Sequence, residues 1–333
     1  RRQRQMCIRD RLKLALYIAF FPQLVAGPIV RYTTVAEEID ERHESVSEFS
    51  AGAVRFLFGL GKKMLLANAV ARIADAAFAA VMPSVLFAWL GAVAYTFQIY
   101  FDFSAYSDMA IGLGRMFGFH FLENFNYPYV ARSVTEFWRR WHISLSTWFR
   151  DYVYIPLGGN RCSRARNVWN LFVVWFLTGM WHGASWNFIA WGLWFFVLLV
   201  GEKLLWGKAL ERLPSLVRHA YAMVLVVFSW VLFRAETLTA AAAYFAAMFG
   251  SSGVWCGSRV VYYSLEFWPE LLCCCIAALP VKQWLETALQ KRDAAPARAV
   301  LTWGPKLAAM ALLACSYCKL VTGSFNPFIY FRF

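Results

Sequence analysis

The chain contains repeated runs of apolar residues, several of which approach the roughly 20 residues that an α-helix needs to cross a bilayer. Of all residues, 60% are hydrophobic and only 16% are charged, whereas a soluble domain carries about 25% charged residues. The sequence therefore predicts an all-α, polytopic membrane protein. The runs cover residues 12–30, 85–119, 168–206, 219–233, 264–281 and 301–320.

The basic residues behind the formal net charge of +13 lie mainly between these runs. Segments 151–167, 203–218 and 282–298 are rich in Lys and Arg, and segments 31–50 and 234–260 hold only two basic residues each. The positive-inside rule places the first group on the cytoplasmic side and the second group outside. This distribution is typical of membrane topology, so we expect no nucleic-acid partner.

The start of the chain differs in character from the apolar region that follows it. Residues 1–11 fit poorly with the run that follows and indicate a non-native or truncated N-terminus. We therefore expect one membrane domain over 12–333 whose true N-terminal part is missing. Segments 51–80 and 238–249 are predicted to be helices that lie partly in the membrane plane.

The cysteines show no spacing typical of a metal site, and we expect no bound metal.

A short amphipathic helix is predicted over residues 134–150. Ser133 and Glu136 have capping-box spacing at its start. The helix is too charged to span the bilayer, so we expect it at the cytoplasmic interface. One face carries polar residues at steps of three and four, namely Arg139, His142, Ser146 and Arg150.

A helical hairpin is predicted over residues 168–206, with "TGMWHGASWN" at its tip. Its first arm, 168–181, rises about 21 Å, which is less than the roughly 30 Å thickness of the hydrocarbon core. His182 should therefore lie within the membrane, nearer the outer side. An ionisable residue at that depth indicates a functional site. The alternative is a core histidine bonded to a backbone carbonyl.

The role of His142 is open from the residues alone, because an interfacial histidine among arginines is often only a solvated group. A separation from His182 of roughly 20 Å along the membrane normal follows from helix rise. We therefore expect two stations along one tunnel rather than a direct pair. Asp102 and Asp108, also at membrane depth, serve either to orient a histidine or to pack helices, and the sequence favours packing.

Five motifs resemble those of the membrane-bound O-acyltransferases (MBOAT), in the branch of alginate and related bacterial polysaccharide O-acetyltransferases. They are "FFPQLVAGPIVRY", "FDFSAYSDMAIGLGRMFGF", "EFWRRWHISLSTWFRDYVYIPLGGNR", "WHGASWNFIAWG" and the terminal "NPFIYFRF". The resemblance covers about residues 12–333. It implies an MBOAT fold, with transmembrane and in-plane helices around a central tunnel, and acyl transfer to a hydroxyl.

The resemblance also implies roles for both histidines. His182 matches the family's essential histidine, and His142 matches its second conserved polar position. The chain departs from the pattern at Ala105, where glycine is expected, and in "WGLWFF". These departures concern helix packing and a non-catalytic position.

The expected donor is acetyl-CoA or another acyl thioester from the cytoplasm, with no bound cofactor. Arg139, Arg150 and Arg161 are candidates to attract its phosphates. His182 would act as the general base, and Ser185, Asn187 and Asp108 are candidates to stabilise an oxyanion or orient a group.

The expected partners are membrane lipid, a polysaccharide acceptor and periplasmic SGNH-like acetyltransferases, which place the chain in the bacterial inner membrane. One alternative is a D-alanyl transferase of the teichoic-acid type, which would share the fold and take its acyl group from a carrier protein. "YIPLGGNR" favours the polysaccharide branch. A second alternative is a transporter component with a histidine proton relay.

Overall fold

The structure is a computed structural model that describes residues 2–24, 27–291, 294–322 and 328, with side chains from residue 11 onward. Within these residues every regular element is helical, as predicted. The side chains of residues 2–10 and most of the terminal "NPFIYFRF" motif lie outside the described part. The helices are α1 (Arg2–Ala19), α2 (Tyr32–Glu41), α3 (Val46–Gly61), α4 (Asn68–Phe78), α5 (Val85–Met116), α6 (Val134–Arg140), α7 (Ile143–Phe149), α8 (Arg164–His182), α9 (Trp186–Gly201), α10 (Gly207–Glu211), α11 (Ser215–Arg234), α12 (Leu238–Met248), α13 (Ser258–Glu266), α14 (Trp268–Ala277), α15 (Val281–Gln290) and α16 (Ala295–Thr322).

Four helical segments of the described chain are long and apolar enough to cross a membrane: α5, the segment Trp186–Glu211, α11 and α16. A fifth arises if α13 and α14, which meet at a 65° bend, form one broken span. The prediction of a polytopic membrane protein is thus confirmed. The first arm of the predicted hairpin, α8, falls outside this group because polar residues at both its ends lower its mean hydropathy.

Three predicted elements differ in detail from the structure. Segment 31–50, expected as a polar loop, contains α2 and the start of α3. The helix predicted over 51–80 is divided by a π-helical turn, Lys62–Ala67, which joins α3 to α4. The run 264–281 is broken at Phe267, where Pro269 in the first turn of α14 allows a new helix to start.

The described residues form two compact units. The first takes in the described residues of 2–65, 101–124 and 282–328, and the second takes in residues 66–100 and 125–281.

In the first unit α3 packs closely against the second half of α5. A Cβ atom added to Gly52 would lie 2.5 Å from the carbonyl oxygen of Gly112, and one added to Gly59 would lie 2.8 Å from that of Ala105. Small residues let helix backbones approach in this way in membrane proteins. Gly59 therefore leaves room for the backbone of α5 at Ala105.

The acids of α5 pair with bases from the same unit. Asp102 and Lys63 form a buried ion pair. Asp108 accepts hydrogen bonds from Arg55 (2.9 Å) and Lys62 (2.6 Å). Both carboxylates thus join α5 to α3 and its π-helical extension, which is the packing role that the sequence favours.

In the second unit a hydrophobic cluster joins α5, α11 and α12. Its members include Ala88 and Ala92 of α5, Val227 and Val231 of α11, and Met248 of α12. Tyr244 donates a hydrogen bond to the carbonyl of Ala88 (2.9 Å). This cluster anchors α11, which contributes Phe233 to the site described next.

Candidate active site

His182 is the last residue of α8 and lies at the tip of the α8–α9 hairpin. The two arms approach closely because glycines lie where they meet. A Cβ atom added to Gly179 would lie 2.6 Å from the carbonyl oxygen of Phe188, and one added to Gly192 would lie 2.4 Å from that of Trp175. The predicted hairpin and its tip are confirmed.

The imidazole of His182 is surrounded by aromatic rings. Its centroid lies 4.8 Å from the ring of Trp181, 4.9 Å from that of Trp191 and 5.1 Å from that of Phe233. The Trp191 and Phe233 rings meet it edge to face, which is a favoured geometry for aromatic pairs. Residues from α8, α9 and α11 therefore fix the orientation of this half-buried side chain.

His142 interrupts the helix that the sequence predicts over 134–150. Trp141 is extended and His142 adopts the left-handed conformation (φ 44°, ψ 55°), so that α6 ends and α7 begins at this point. The prediction of one continuous helix is therefore wrong. A non-glycine residue in this conformation costs roughly 1–2 kcal/mol, and such strain clusters at functional sites.

His142 is not a solvated interfacial group, because the residue is only 3% exposed. The change of direction at Trp141–His142 turns the imidazole into the protein. Its Nδ1 lies 3.5 Å from the hydroxyl oxygen of Ser144.

The structure brings the two histidines into one centre. The His142 ring lies 6.2 Å from the ring of Trp181, which in turn lies 4.8 Å from that of His182. The two imidazoles cannot be further apart than the sum of these distances, well below the roughly 20 Å expected from helix rise. That expectation fails because the α6–α7 segment, broken at His142, places His142 beside the end of α8.

A cavity of about 340 Å³ lies among α6, α7, α8 and α9. Its inner wall includes Trp138, Trp175 and Thr178, and Thr178 is one helical turn before His182. The Trp138 ring lies 5.9 Å from that of Trp191, which touches His182. Two ring contacts, Trp138 with Trp191 and Trp191 with His182, therefore connect the cavity wall to the histidine centre.

The predicted donor-binding arginines divide into two groups. Arg139 and Arg150 line the cavity, both with exposed side chains. The hydrogen bond from Arg150 to Asp151 (2.7 Å) raises the pKa of Arg150, so its guanidinium stays charged. Arg161 is exposed in the following loop and is not among the cavity-lining residues.

Ser185 and Asn187 lie in the hairpin turn and the first turn of α9. The Ser185 hydroxyl donates to the Asn187 side-chain oxygen, and the Asn187 amide donates to the carbonyl of Ala235 at the end of α11. These contacts fasten the hairpin tip to α11. The third orienting candidate, Asp108, belongs to the first unit, in the ion-pair cluster with Arg55 and Lys62.

The aromatic rings around His182 and the aromatic wall of the cavity could not be found from the sequence. Trp138, Trp191 and Phe233 come from three separate helices, and each follows an apolar pattern that fits ordinary helix packing. Their sequence positions carry no local signal for a shared site, since only the tertiary fold brings them together.

Comparison with known proteins shows which family and which relatives the chain resembles. The profile of the membrane-bound O-acyltransferase family matches residues 2–241. The chain is 41% identical to the "Probable alginate O-acetylase AlgI" of Azotobacter vinelandii, over 98% of this chain and 70% of that protein. It is 38% identical to a peptidoglycan O-acetyltransferase of Helicobacter pylori, over 73% of this chain and 47% of that protein.

A lower similarity links the chain to a teichoic acid D-alanyltransferase of Bacillus subtilis. The two are 28% identical over 66% of this chain and 59% of that protein.

The spanning helices and the two histidines that contact Trp181 beside a cavity are the features of a polytopic membrane protein with a histidine centre. The chain belongs to the membrane-bound O-acyltransferase family and is an O-acyltransferase.

Proposed function

We propose that this enzyme moves an acetyl group from acetyl-CoA, which enters from the cytoplasm, to a hydroxyl of an exported polysaccharide or of a periplasmic relay partner. The observation that carries the proposal is the cavity that joins Arg139 and Arg150 to the wall beside the histidine centre. The two arginines of this cavity offer positive charge for the phosphates of the donor. The apolar part of the cavity offers space for the acyl group on the side of the histidine centre.

The donor end of the cavity has the chemistry that a phosphorylated thioester needs. The guanidinium groups of Arg139 and Arg150 suit bidentate recognition of phosphate oxygens. The wall beyond them is mainly apolar and aromatic, with Trp138, Trp175 and Leu171. A short acyl chain with its thioester would lie against this wall.

The reaction is an acyl transfer from sulfur to oxygen. The acceptor hydroxyl oxygen attacks the thioester carbonyl carbon, and His182 Nδ1 or Nε2 takes the hydroxyl proton during the attack. The carbon–sulfur bond breaks and the proton passes to the departing sulfur, which gives the ester and free CoA thiol. His142, which contacts the same Trp181 ring, would bind the thioester or orient the acyl group.

The relatives support a polysaccharide acceptor. Two of them carry names that describe O-acetylation of alginate and of peptidoglycan, and both are more similar to this chain than the D-alanyltransferase. An alginate-like polymer outside the bacterial inner membrane fits these names. Periplasmic SGNH-like acetyltransferases would be the partners if the acetyl group is relayed.

The proposal is tested by incubating membrane vesicles that contain the chain with acetyl-CoA labelled in the acetyl group and with alginate. We expect label in ester linkage to the polymer or to a co-expressed periplasmic partner, with release of CoA thiol. Transfer from D-alanyl carrier protein but not from acetyl-CoA would support the teichoic-acid alternative. Proton flux without any ester product would support the transporter alternative.

A further inference from the structure

The segment after α9 carries two charged side chains that contact opposite walls of the cavity. The helix continues beyond Gly201 as a π-helical turn, Glu202–Trp206. Single π-helical turns inside helices occur frequently at functional sites. Here the turn starts with Glu202 and Lys203, which are consecutive in the chain and bind different elements.

Glu202 holds the start of α6. One carboxylate oxygen accepts from the backbone N–H of Val134 (2.7 Å), and the other accepts from the backbone N–H and the hydroxyl of Thr135 (2.8 and 2.6 Å). The carboxylate is buried, with 8% of the residue exposed. Thr135 lines the cavity, as do Trp138 and Arg139 further along the same helix.

Lys203 holds the opposite wall. Its ammonium group donates to the side-chain oxygens of Asn160 and Asn167, each at 2.7 Å. Tyr154, which lines the cavity, donates to the same oxygen of Asn160 and accepts from the Asn167 amide, both at 2.7 Å. Lys203 thus fastens the 154–160 segment to the base of α8.

We propose that Glu202 and Lys203 are positioning residues that fix the two walls of the donor cavity relative to each other. The inference rests on the proposed donor site. In this inference Glu202 and Lys203 maintain the affinity for acetyl-CoA, because they hold the walls of that site in place. Neither residue is next to the histidine centre in the sequence or in the contacts of the structure. We therefore expect their loss to weaken donor binding and to leave the chemical step unchanged.

The test measures kcat and KM for acetyl-CoA with the full chain in membrane vesicles. Lys203→Met removes both hydrogen bonds and is expected to raise KM at least about tenfold, the factor that corresponds to a single charge-assisted hydrogen bond. Because the histidines keep their places, kcat should stay within about twofold. Lys203→Arg keeps a charged donor and should restore most of the affinity.

Lys208→Met is the matched control, since Lys208 is likewise an exposed lysine and lies five residues further along. It should leave both constants unchanged. Glu202→Gln places an amide N–H against the donors of Val134 or Thr135 and should also raise KM. Combining Lys203→Met with Asn160→Ala should raise KM by less than the product of the two single effects, since the Lys203–Asn160 hydrogen bond is lost in either variant.

An unchanged KM in Lys203→Met, or a fall in kcat at constant KM, would overturn the inference. If wild-type vesicles do not use acetyl-CoA, the proposed donor is wrong instead. Hydrogen exchange of residues 155–163 then decides separately whether Lys203 holds this wall. Faster exchange in Lys203→Met supports the anchoring, and unchanged exchange refutes it.

Discussion

The imidazole of His142 lies 6.2 Å from the indole of Trp181, the residue that directly precedes His182. His142, at the break between α6 and α7, and His182, at the end of α8, therefore contact the same indole ring, that of Trp181. This relationship joins two motifs that lie forty residues apart in the sequence into a single histidine centre. The consequences can be tested residue by residue.

The backbone and the side chain of His142 can be separated by two substitutions. Glycine adopts the left-handed conformation without the penalty that a Cβ atom brings. We therefore expect His142→Gly to be about 1 kcal/mol more stable than His142→Ala. Both variants should lose acyl transfer, about 100-fold in kcat, because the imidazole is gone in both.

Thermal unfolding in detergent and the acetyl-transfer assay give the two readouts. If His142→Gly restored transfer relative to His142→Ala, the backbone would be the essential feature. The proposed role of the imidazole would then be wrong.

The α8–α9 hairpin depends on the absence of a side chain at Gly192. A Cβ atom there would lie 2.4 Å from the carbonyl oxygen of Trp175, which is closer than real Cβ contacts. We expect Gly192→Ala to destabilise the protein by about 1–3 kcal/mol, the usual cost of overpacking. Because the hairpin tip carries His182, kcat should fall in the fraction that stays folded.

Gly304→Ala in α16 is the matched control, since the nearest atom to its added Cβ lies 3.7 Å away, at ordinary contact distance. It should unfold at the wild-type temperature or slightly above, because alanine favours a helix over glycine. Equal effects of the two substitutions on the unfolding temperature would contradict the close packing of the hairpin.

Trp138 sets the size of the inner cavity. Its ring packs against Trp175 at 4.6 Å and against Phe195 at 4.9 Å. We expect Trp138→Ala to enlarge the acyl end of the cavity, so that the ratio of kcat/KM for butyryl-CoA to that for acetyl-CoA rises about tenfold.

Trp169 on α8 serves as the control, because its side chain is 52% exposed and does not line the cavity. Trp169→Ala should leave the ratio of the two donors unchanged. An unchanged ratio in Trp138→Ala would exclude this wall as the acyl site.

The ion-pair cluster of the first unit, formed by Arg55, Lys62 and Asp108, should stabilise the folded protein. Asp108 contacts both Arg55 and Lys62, and Arg55 also pairs with Glu123. Removal of this partly buried carboxylate should cost about 1.5–3 kcal/mol, the contribution of a hydrogen bond to a charged group. We therefore expect Asp108→Ala to lower the unfolding temperature and to leave kcat per folded molecule unchanged.

Glu286→Ala removes the acid of the exposed Lys282–Glu286 pair and should have no measurable effect, as is usual for surface ion pairs. A loss of kcat in Asp108→Ala at wild-type stability would instead support the orienting role that the sequence analysis considers for this acid.

Much of the fold follows from periodicity and charge. The apolar hairpin and its polar tip are predicted because each arm is long and nearly uniform, and the glycines beside His182 suit a turn. Acids such as Asp102 are predicted to pack helices because an unpaired carboxylate is costly at membrane depth. These features depend on the local sequence or on the membrane as a solvent.

The histidine centre could not be predicted in the same way. Arg139, His142, Ser146 and Arg150 fit one helical stripe, and nothing in that pattern reveals that His142 adopts a left-handed conformation. The break reverses the direction of the His142 side chain and brings it to Trp181. Tertiary contacts from α9 and α11 stabilise this arrangement, and a single-helix pattern carries no information about them.

The central claim is that His182 is the base of the acyl transfer, and one measurement tests it most directly. His182→Gln keeps a polar side chain of similar size, and His43→Gln, in the exposed segment between α2 and α3, is its control. Each variant is brought to equal amounts of folded protein in vesicles and assayed for polymer-bound acetate from acetyl-CoA. The account predicts a loss of at least about 100-fold in His182→Gln and none in His43→Gln; transfer by His182→Gln at the wild-type rate would contradict it.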